Sequence, residues 1–190
     1  MSQPPQLRPA RKDDCTTIAR LYSISSDGVA DYIWESLAEA GENRLHFGQR
    51  RYEREGTDFS YQNCVMVERD NETLGMIVAF PIHVDPSYVE SDPVLAPYCK
   101  LEEDNSYYIC GVAIFPEFRN QGLGSLLMEH AERTAKARGY AKLSLIVFAE
   151  NTGAKKLYER IGYTEVMREP IVPHPLIRMT GDAILMVKHL

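Results

Sequence analysis

Nowhere in the 190 residues is there a run of roughly 18 apolar residues, so no helix is expected to span a membrane. The first residues, Met1-Ser2-Gln3-Pro4-Pro5, lack the apolar stretch of a secretory signal. Four cysteines stand at positions 15, 64, 99 and 110, with no CxxC pair and no Cys/His cluster at zinc spacing. No metal site is therefore expected, and the cysteines read as reduced thiols in a cytoplasmic protein. An excess of positive charge is also missing: 21 Lys and Arg face 27 Asp and Glu, a net charge of -6. That argues against broad binding to nucleic acid, though it allows a local basic site for an anionic ligand. The negative surface either steers a cationic substrate or simply keeps the chain in solution. There is no internal repeat and no low-complexity linker. The chain, 44% hydrophobic, suits one domain over residues 1–190 with a full core.

The hydrophobic pattern marks out elements. Residues 6–10 read as a short first strand, and Asp13 or Asp14 as the cap of a helix through Ile18, Leu21 and Tyr22. Residues 31–56 read as a helical region carrying Tyr32, Ile33, Trp34, Leu37, Leu45 and Phe47, interrupted at Gly41 and Gly48 into two short helices. Cys64–Glu68 and Leu74–Phe80 are strands, and Asp70-Asn71 between them signals a hairpin. Pro81 to Asn105 is a long, acidic connection with four prolines, either a functional cover or a disordered segment.

Tyr107–Phe115 reads as a strand ended by Pro116. An amphipathic helix with Leu123, Leu126, Leu127, Ala131 and Ala135 follows and ends at Gly139. Ala141–Phe148 is apolar at both sets of alternate positions, as in a strand buried on both faces. Asn151 or Thr152 caps a helix with Ala154, Leu157, Tyr158 and Ile161 on one face, ended by Gly162. Tyr163–Met167 and Ala183–Val187 complete the set. The order strand, helix, strand, helix, strand, strand implies a mixed α/β sheet.

Between the strand at Tyr107 and the helix at Leu123 lies Arg119-Asn120-Gln121-Gly122-Leu123-Gly124. A helix start presents unpaired N–H groups and a partial positive charge, which together suit a phosphate. Glycine lets the ligand approach the backbone, Ser125 adds a hydroxyl and Arg119 a permanent cation. A P-loop would need Lys and then Ser or Thr after the second glycine, and the chain has Gly124-Ser125-Leu126. The dinucleotide fingerprint would need glycine where Leu127 stands. ATP and NAD are therefore poor candidates.

The pattern resembles the acetyl-CoA signature of the GNAT acetyltransferase superfamily, Arg/Gln-x-x-Gly-x-Gly/Ala, with Arg119, Gly122 and Gly124 in its defined positions. The resemblance extends from about Tyr107 to Tyr163, with Met186-Val187-Lys188 as the usual last strand. It is vague before Leu74. It implies a single-domain GNAT fold of the α/β (α+β) class, with a mixed, mostly antiparallel central sheet flanked by helices. It implies acetyl-CoA as acyl donor, with the pyrophosphate on the loop from Arg119 through Asn120, Gln121, Gly122, Leu123 and Gly124 to Ser125. It further implies the pantetheine arm along Val112, Ala113 and Ile114, the Val112 N–H on the thioester carbonyl, and Tyr158 as the acid that protonates the departing thiolate. Asn151 matches a position that bonds the pantetheine arm. From periodicity alone, Tyr158 is equally a side chain on a buried helix face, and Asn151 equally a helix cap.

A base for the incoming amine is harder to find. The resemblance looks for an acidic residue 14 positions before Gly122, where this chain has Tyr108. Glu102, Glu103, Asp104 and His83 remain as candidates, each also readable as a solvated surface residue. The acceptor is implied to enter between the first two helices and the loop joining the last two strands, among Tyr22, Tyr32, Trp34, Phe47, Arg168, Glu169, His174 and Arg178. The leading reading is acetyl transfer from acetyl-CoA to a primary amine of a small molecule or peptide. Its rivals are transfer to a protein N-terminus or lysine, transfer of a longer acyl chain, and a non-catalytic acyl-CoA-binding sensor. Homodimerisation is a family expectation.

Overall fold

A computed structural model describes residues 3–190. Its strands run β1 (Gln6–Pro9), β2 (Cys64–Arg69), β3 (Glu72–Ile82), β4 (Ser106–Ile114), β5 (Lys142–Phe148), β6 (Thr164–Pro170) and β7 (Asp182–His189). The helices are α1 (Cys15–Ser25), α2 (Val29–Leu37), α3 (Arg44–Tyr52), α4 (Ala96–Lys100), α5 (Leu123–Ala137) and α6 (Thr152–Arg160). The strands form one seven-stranded sheet in the order β1-β2-β3-β4-β5-β7-β6. The β4–β5 pair is parallel, whereas β1–β2, β2–β3, β5–β7 and β6–β7 are antiparallel. Two compact units divide the chain: the first holds residues 1–79 and 111–130, the second 80–110 and 131–190. No helix among the described residues is long and apolar enough to cross a membrane.

In the first unit, the β2–β3 hairpin turns at Asp70 and Asn71, with φ of 52° and 64°. These two residue types tolerate the left-handed region that a tight hairpin demands. The region read as interrupted at two glycines breaks only once. Gly41, at φ 83°, lies in the break between α2 and α3, whereas Gly48 lies inside α3. A Cβ on Gly48 would meet the ring atoms of Trp34 at 2.7 Å, so glycine here serves close helix packing. Tyr22 packs edge-on against Tyr52 (5.5 Å) and Phe59 (6.1 Å) and tilts against Trp34 (6.1 Å). Trp34 and Tyr52 are fully buried, so this cluster is core.

Asp14 takes the N-cap position of α1, but its carboxylate does not cap the helix. It accepts from the Arg11 N–H (2.6 Å) and the Arg8 guanidinium (2.7 Å), and Arg8 also reaches Glu68 at 2.5 Å. The Arg8 hydrogen bonds are the main cause holding both carboxyls below their ordinary values. A carboxyl whose pKa falls on folding stabilises above its unfolded value and loses that contribution as pH drops through the folded one. Arg8→Met is therefore expected to cost about 1.5–3 kcal/mol at pH 7. In urea melts the gap to wild type should close as the medium is taken below about pH 4. A gap that stays constant with pH would show that the lost packing of the Arg8 stem, not its charge, was being measured.

In the second unit, β5 is covered on both faces as its sequence implies, and Ser144 in its middle is satisfied by the Ser106 hydroxyl of β4 at 2.6 Å. β7 contributes a continuous buried run from Ala183 to Val187. The strand read as Tyr163–Met167 extends through Pro170 and lies at the sheet edge, where Val166 and Met167 remain exposed. The long connection holds a helix that the sequence reading did not assign. α4 has only five residues, too few for a periodic pattern, and is held by the fully buried Leu101 and by the Tyr98 ring, 6.1 Å from that of Phe148.

Candidate functional site

In the first unit, β4 leads through a 3-10 turn at Pro116–Phe118 into the loop and then α5. Asn120 (φ 61°) and Gly122 (φ 78°) both adopt left-handed backbone just ahead of the helix. The first helical bond at this end runs from the Leu126 N–H to the Gly122 carbonyl at 3.1 Å. The amides from Gln121 to Ser125 therefore lack an intrahelical acceptor. Asn120, Gln121 and Gly122 are exposed, and a Cβ on Gly122 would meet nothing within 4 Å. Amides without an intrahelical acceptor, beside the open space at Gly122, fit a phosphate group.

Cations flank the loop. Arg119 is exposed and donates from Nε to the Ile114 carbonyl at 3.2 Å. Arg69, at the end of β2, donates to the Gln121 side chain at 3.0 Å. The sequence reading missed Arg69, and no spacing rule could find it, since 52 residues separate the pair. Val112 and Ile114 are half-buried on the same side of β4 as Tyr108 and Cys110, while Ala113 is buried on the other. Among the described residues β4 pairs with β5 over Tyr107–Ile109, and Val112–Ile114 lies beyond that ladder.

In the second unit, the Asn151 side chain caps α6 by accepting from the Ala154 N–H at 3.2 Å. The helix face read as buried is only half covered, since no residue of α6 is buried. Tyr158 therefore keeps solvent-reachable surface, and its ring tilts against that of Tyr163 at 6.0 Å. Burial drives the Tyr163 phenol far up.

The Tyr108 phenol is also pushed well up, by burial first and then by Cys110 and Glu102, and Phe80 packs edge-on against it at 5.8 Å. It stays protonated at neutral pH and cannot replace the missing acid as a base. Of the other candidates, His83 Nδ1 lies 3.1 Å from Asn105, Glu103 pairs with Lys142, and Asp104 accepts from the Val84 N–H at 2.9 Å. Of the residues read as lining the acceptor route, Arg168 is paired with Glu165 and Asp182, Glu169 with Lys100, and the His174 ring accepts from the Leu176 N–H. Trp34 belongs to the first unit's core. The Tyr98 hydroxyl is buried without a partner among the described residues, a state that costs about 1–3 kcal/mol unless a ligand or water satisfies it. No group of three or more His, Cys, Asp or Glu that could hold a metal occurs among the described residues.

The chain is similar to known acetyltransferases. N-alpha-acetyltransferase 40 of Saccharomyces cerevisiae is 29% identical over 118 residues, covering 58% of this chain and 40% of that protein. The ribosomal protein bS18-alanine N-acetyltransferase of Escherichia coli is 43% identical over 54 residues, covering 28% of this chain and 36% of that protein. The chain thus spans less than half the length of these curated relatives. A crystal structure described as an acetyltransferase superposes with a TM-score of 0.66 at 23% identity, covering 97% of this chain and 98% of its own, and so shares the fold. The model of the acetyltransferase (GNAT) family matches residues 29–163, and the chain belongs to that family.

Proposed function

We propose that the chain transfers an acetyl group from acetyl-CoA to a primary amine, residues 1–190 acting as a single N-acetyltransferase domain. The observation that carries this is the row of amides from Gln121 to Ser125, open at the start of α5 beneath a glycine with free space above it. These amides, with Arg119 and the Ser125 hydroxyl, hold the pyrophosphate, and Arg69 steadies the loop through Gln121. Val112, Ala113 and Ile114 pair with the pantetheine arm as an added strand would, and Asn151 bonds the same arm while capping α6.

Acetyl-CoA supplies an activated thioester. The Val112 N–H is a donor placed for the charge that develops on the carbonyl oxygen as the amine nitrogen attacks. Tyr158 gives its phenolic proton to the departing sulfur and is refilled from water. The name of one curated relative, an N-acetyltransferase of ribosomal protein bS18-alanine, favours a peptide or protein amine over a free small molecule. A cytoplasmic location belongs to the reading, since four cysteines that form no disulfide suit a reducing compartment. A homodimer is retained from the family expectation. The alternative, a non-catalytic acyl-CoA sensor, draws on Tyr108 standing where an acid is expected.

The test is calorimetric titration with acetyl-CoA, followed by a free-thiol assay against peptides, polyamines and small amines. Saturable binding with thiol release on a peptide amine is expected. Binding without release on any acceptor favours the sensor, and no binding overturns the assignment of the loop.

A further inference from the structure

Three arginines of the first unit gather on one short stretch of chain, from Ile114 to Gln121. Arg119 donates to the Ile114 carbonyl at 3.2 Å, the Arg20 guanidinium lies 5.5 Å over the centre of the Phe115 ring, and Arg69 donates to the Gln121 side chain at 3.0 Å. They come from separate elements: Arg20 from α1, Arg69 from the end of β2 and Arg119 from the loop itself. None of the three forms an ion pair with a carboxylate among the described residues. By contrast, Arg8, Arg44, Arg50 and Arg168 are each paired.

For Arg69 a carboxylate is at hand. Glu72 stands directly opposite it in the β2–β3 register, where unlike charges ordinarily attract. The side chain reaches instead for Gln121, 52 residues away in the chain, and is held against the loop that starts α5. Its seat is anchored: Asp70 and Asn71 close the hairpin just beyond it, and the Phe115 N–H bonds the Leu74 carbonyl of β3 at 2.9 Å. A guanidinium carries five N–H donors in a planar fork. Arg69 uses one of them on Gln121, and Arg20 is exposed where it stacks. A tethered or stacked guanidinium is already ordered, so it loses less freedom when an anion binds.

Coenzyme A carries more phosphate than the loop accounts for. The amides from Gln121 to Ser125, with Arg119, answer its pyrophosphate. The adjoining ribose also bears a 3′-phosphate, and a phosphate monoester carries about −1.5 to −2 at neutral pH. Guanidinium forks match such a group in shape and in charge.

We propose that Arg69 and Arg20 form a second anion site, which takes the 3′-phosphate of coenzyme A and makes the protein select acetyl-CoA over its 3′-dephospho form. The inference rests on the acetyl-CoA reading above. Because Arg69 is bonded to Gln121, filling this site is linked to the loop that holds the pyrophosphate.

The experiment is calorimetric titration with acetyl-CoA and with acetyl-3′-dephospho-CoA, no amine being present. It compares wild type, Arg69→Gln, Arg20→Gln, the double variant and Arg44→Gln, with thermal melts alongside. Wild type is expected to bind acetyl-CoA about 10-fold or more tighter than the dephospho form, as charge-assisted hydrogen bonds supply. That preference should shrink as salt rises from about 0.05 M to about 0.5 M, since solvent reaches both side chains. Each single variant lowers the preference by about threefold or more, and the double variant nearly abolishes it, while affinity for the dephospho form changes less than about threefold. Arg44→Gln removes the same charge from α3 and keeps the full preference. Should Arg69→Gln lower the melting temperature, Arg69→Lys keeps the charge and the stem, loses the fork, and is expected to show an intermediate preference. A wild type that binds both forms equally overturns the site and leaves the loop reading standing. A preference that survives the double variant overturns the assignment to these two residues. An equal loss for both forms in Arg69→Gln overturns it too, showing that Arg69 only steadies the loop. Failure of wild type to bind either form overturns the acetyl-CoA reading as well.

Discussion

Tyr158→Phe is expected to slow acetyl transfer by about 10²-fold or more while leaving acetyl-CoA affinity unchanged. The substitution removes one hydroxyl and keeps the ring, so the contact with Tyr163 at 6.0 Å persists and α6 should stay folded. In the proposed role the Tyr158 hydroxyl is the donor that protonates the leaving thiolate, as a phenol with an ordinary pKa of about 10 is able to do at neutral pH. Without it the sulfur must leave as an anion or wait for water. The proposed pyrophosphate and pantetheine contacts do not involve the Tyr158 hydroxyl, so the loss should fall on kcat and not on KM for the donor. A variant with undiminished kcat would return Tyr158 to a packing role.

Gly122→Val is expected to weaken acetyl-CoA binding by about 10²-fold, or about 2.7 kcal/mol. Two effects contribute. At φ 78° a branched residue is strained by about 1–3 kcal/mol. Its side chain would also fill the open space over the amides from Gln121 to Ser125, where the phosphate is proposed to lie. Gly139→Val separates the two. Gly139 has φ 80° and the same open surroundings, but it lies at the other end of α5. Both variants should lose similar stability in thermal melts, and only Gly122→Val should lose affinity in titration calorimetry. Equal affinities would locate the phosphate elsewhere.

Much of the fold was legible because local chemistry and global structure agree. Asp70-Asn71 announces its hairpin because those residues accept left-handed backbone, and both adopt it. Asn151 announces α6 because a capping side chain must be short and polar, and it accepts from Ala154. The loop was legible because a strand, glycines and an amphipathic helix follow in sequence. What stayed hidden depends on distance in the chain. Arg69 meets Gln121 only because the β2–β3 hairpin brings its end to the loop. Gly48 looked like a helix breaker, since its partner, Trp34, lies on another helix. α4 was too short for periodicity to show. Among Glu102, Glu103 and Asp104 the sequence offers three similar carboxylates, and only their partners tell them apart.

β7 lies between β5 and β6, although both are synthesised before it. Until Asp182–His189 leaves the ribosome, β5 has one open side and β6 has no strand to pair with at all. That edge of β5 is apolar, carrying Leu143, Leu145 and Val147, the kind of unpaired strand that other nascent chains can capture. At about 5–20 residues per second, the interval from Phe148 to His189 exposes that edge for seconds in every copy made. A synonymous codon change that slows translation between residues 149 and 181 should therefore lower the soluble yield of a protein whose sequence is unaltered.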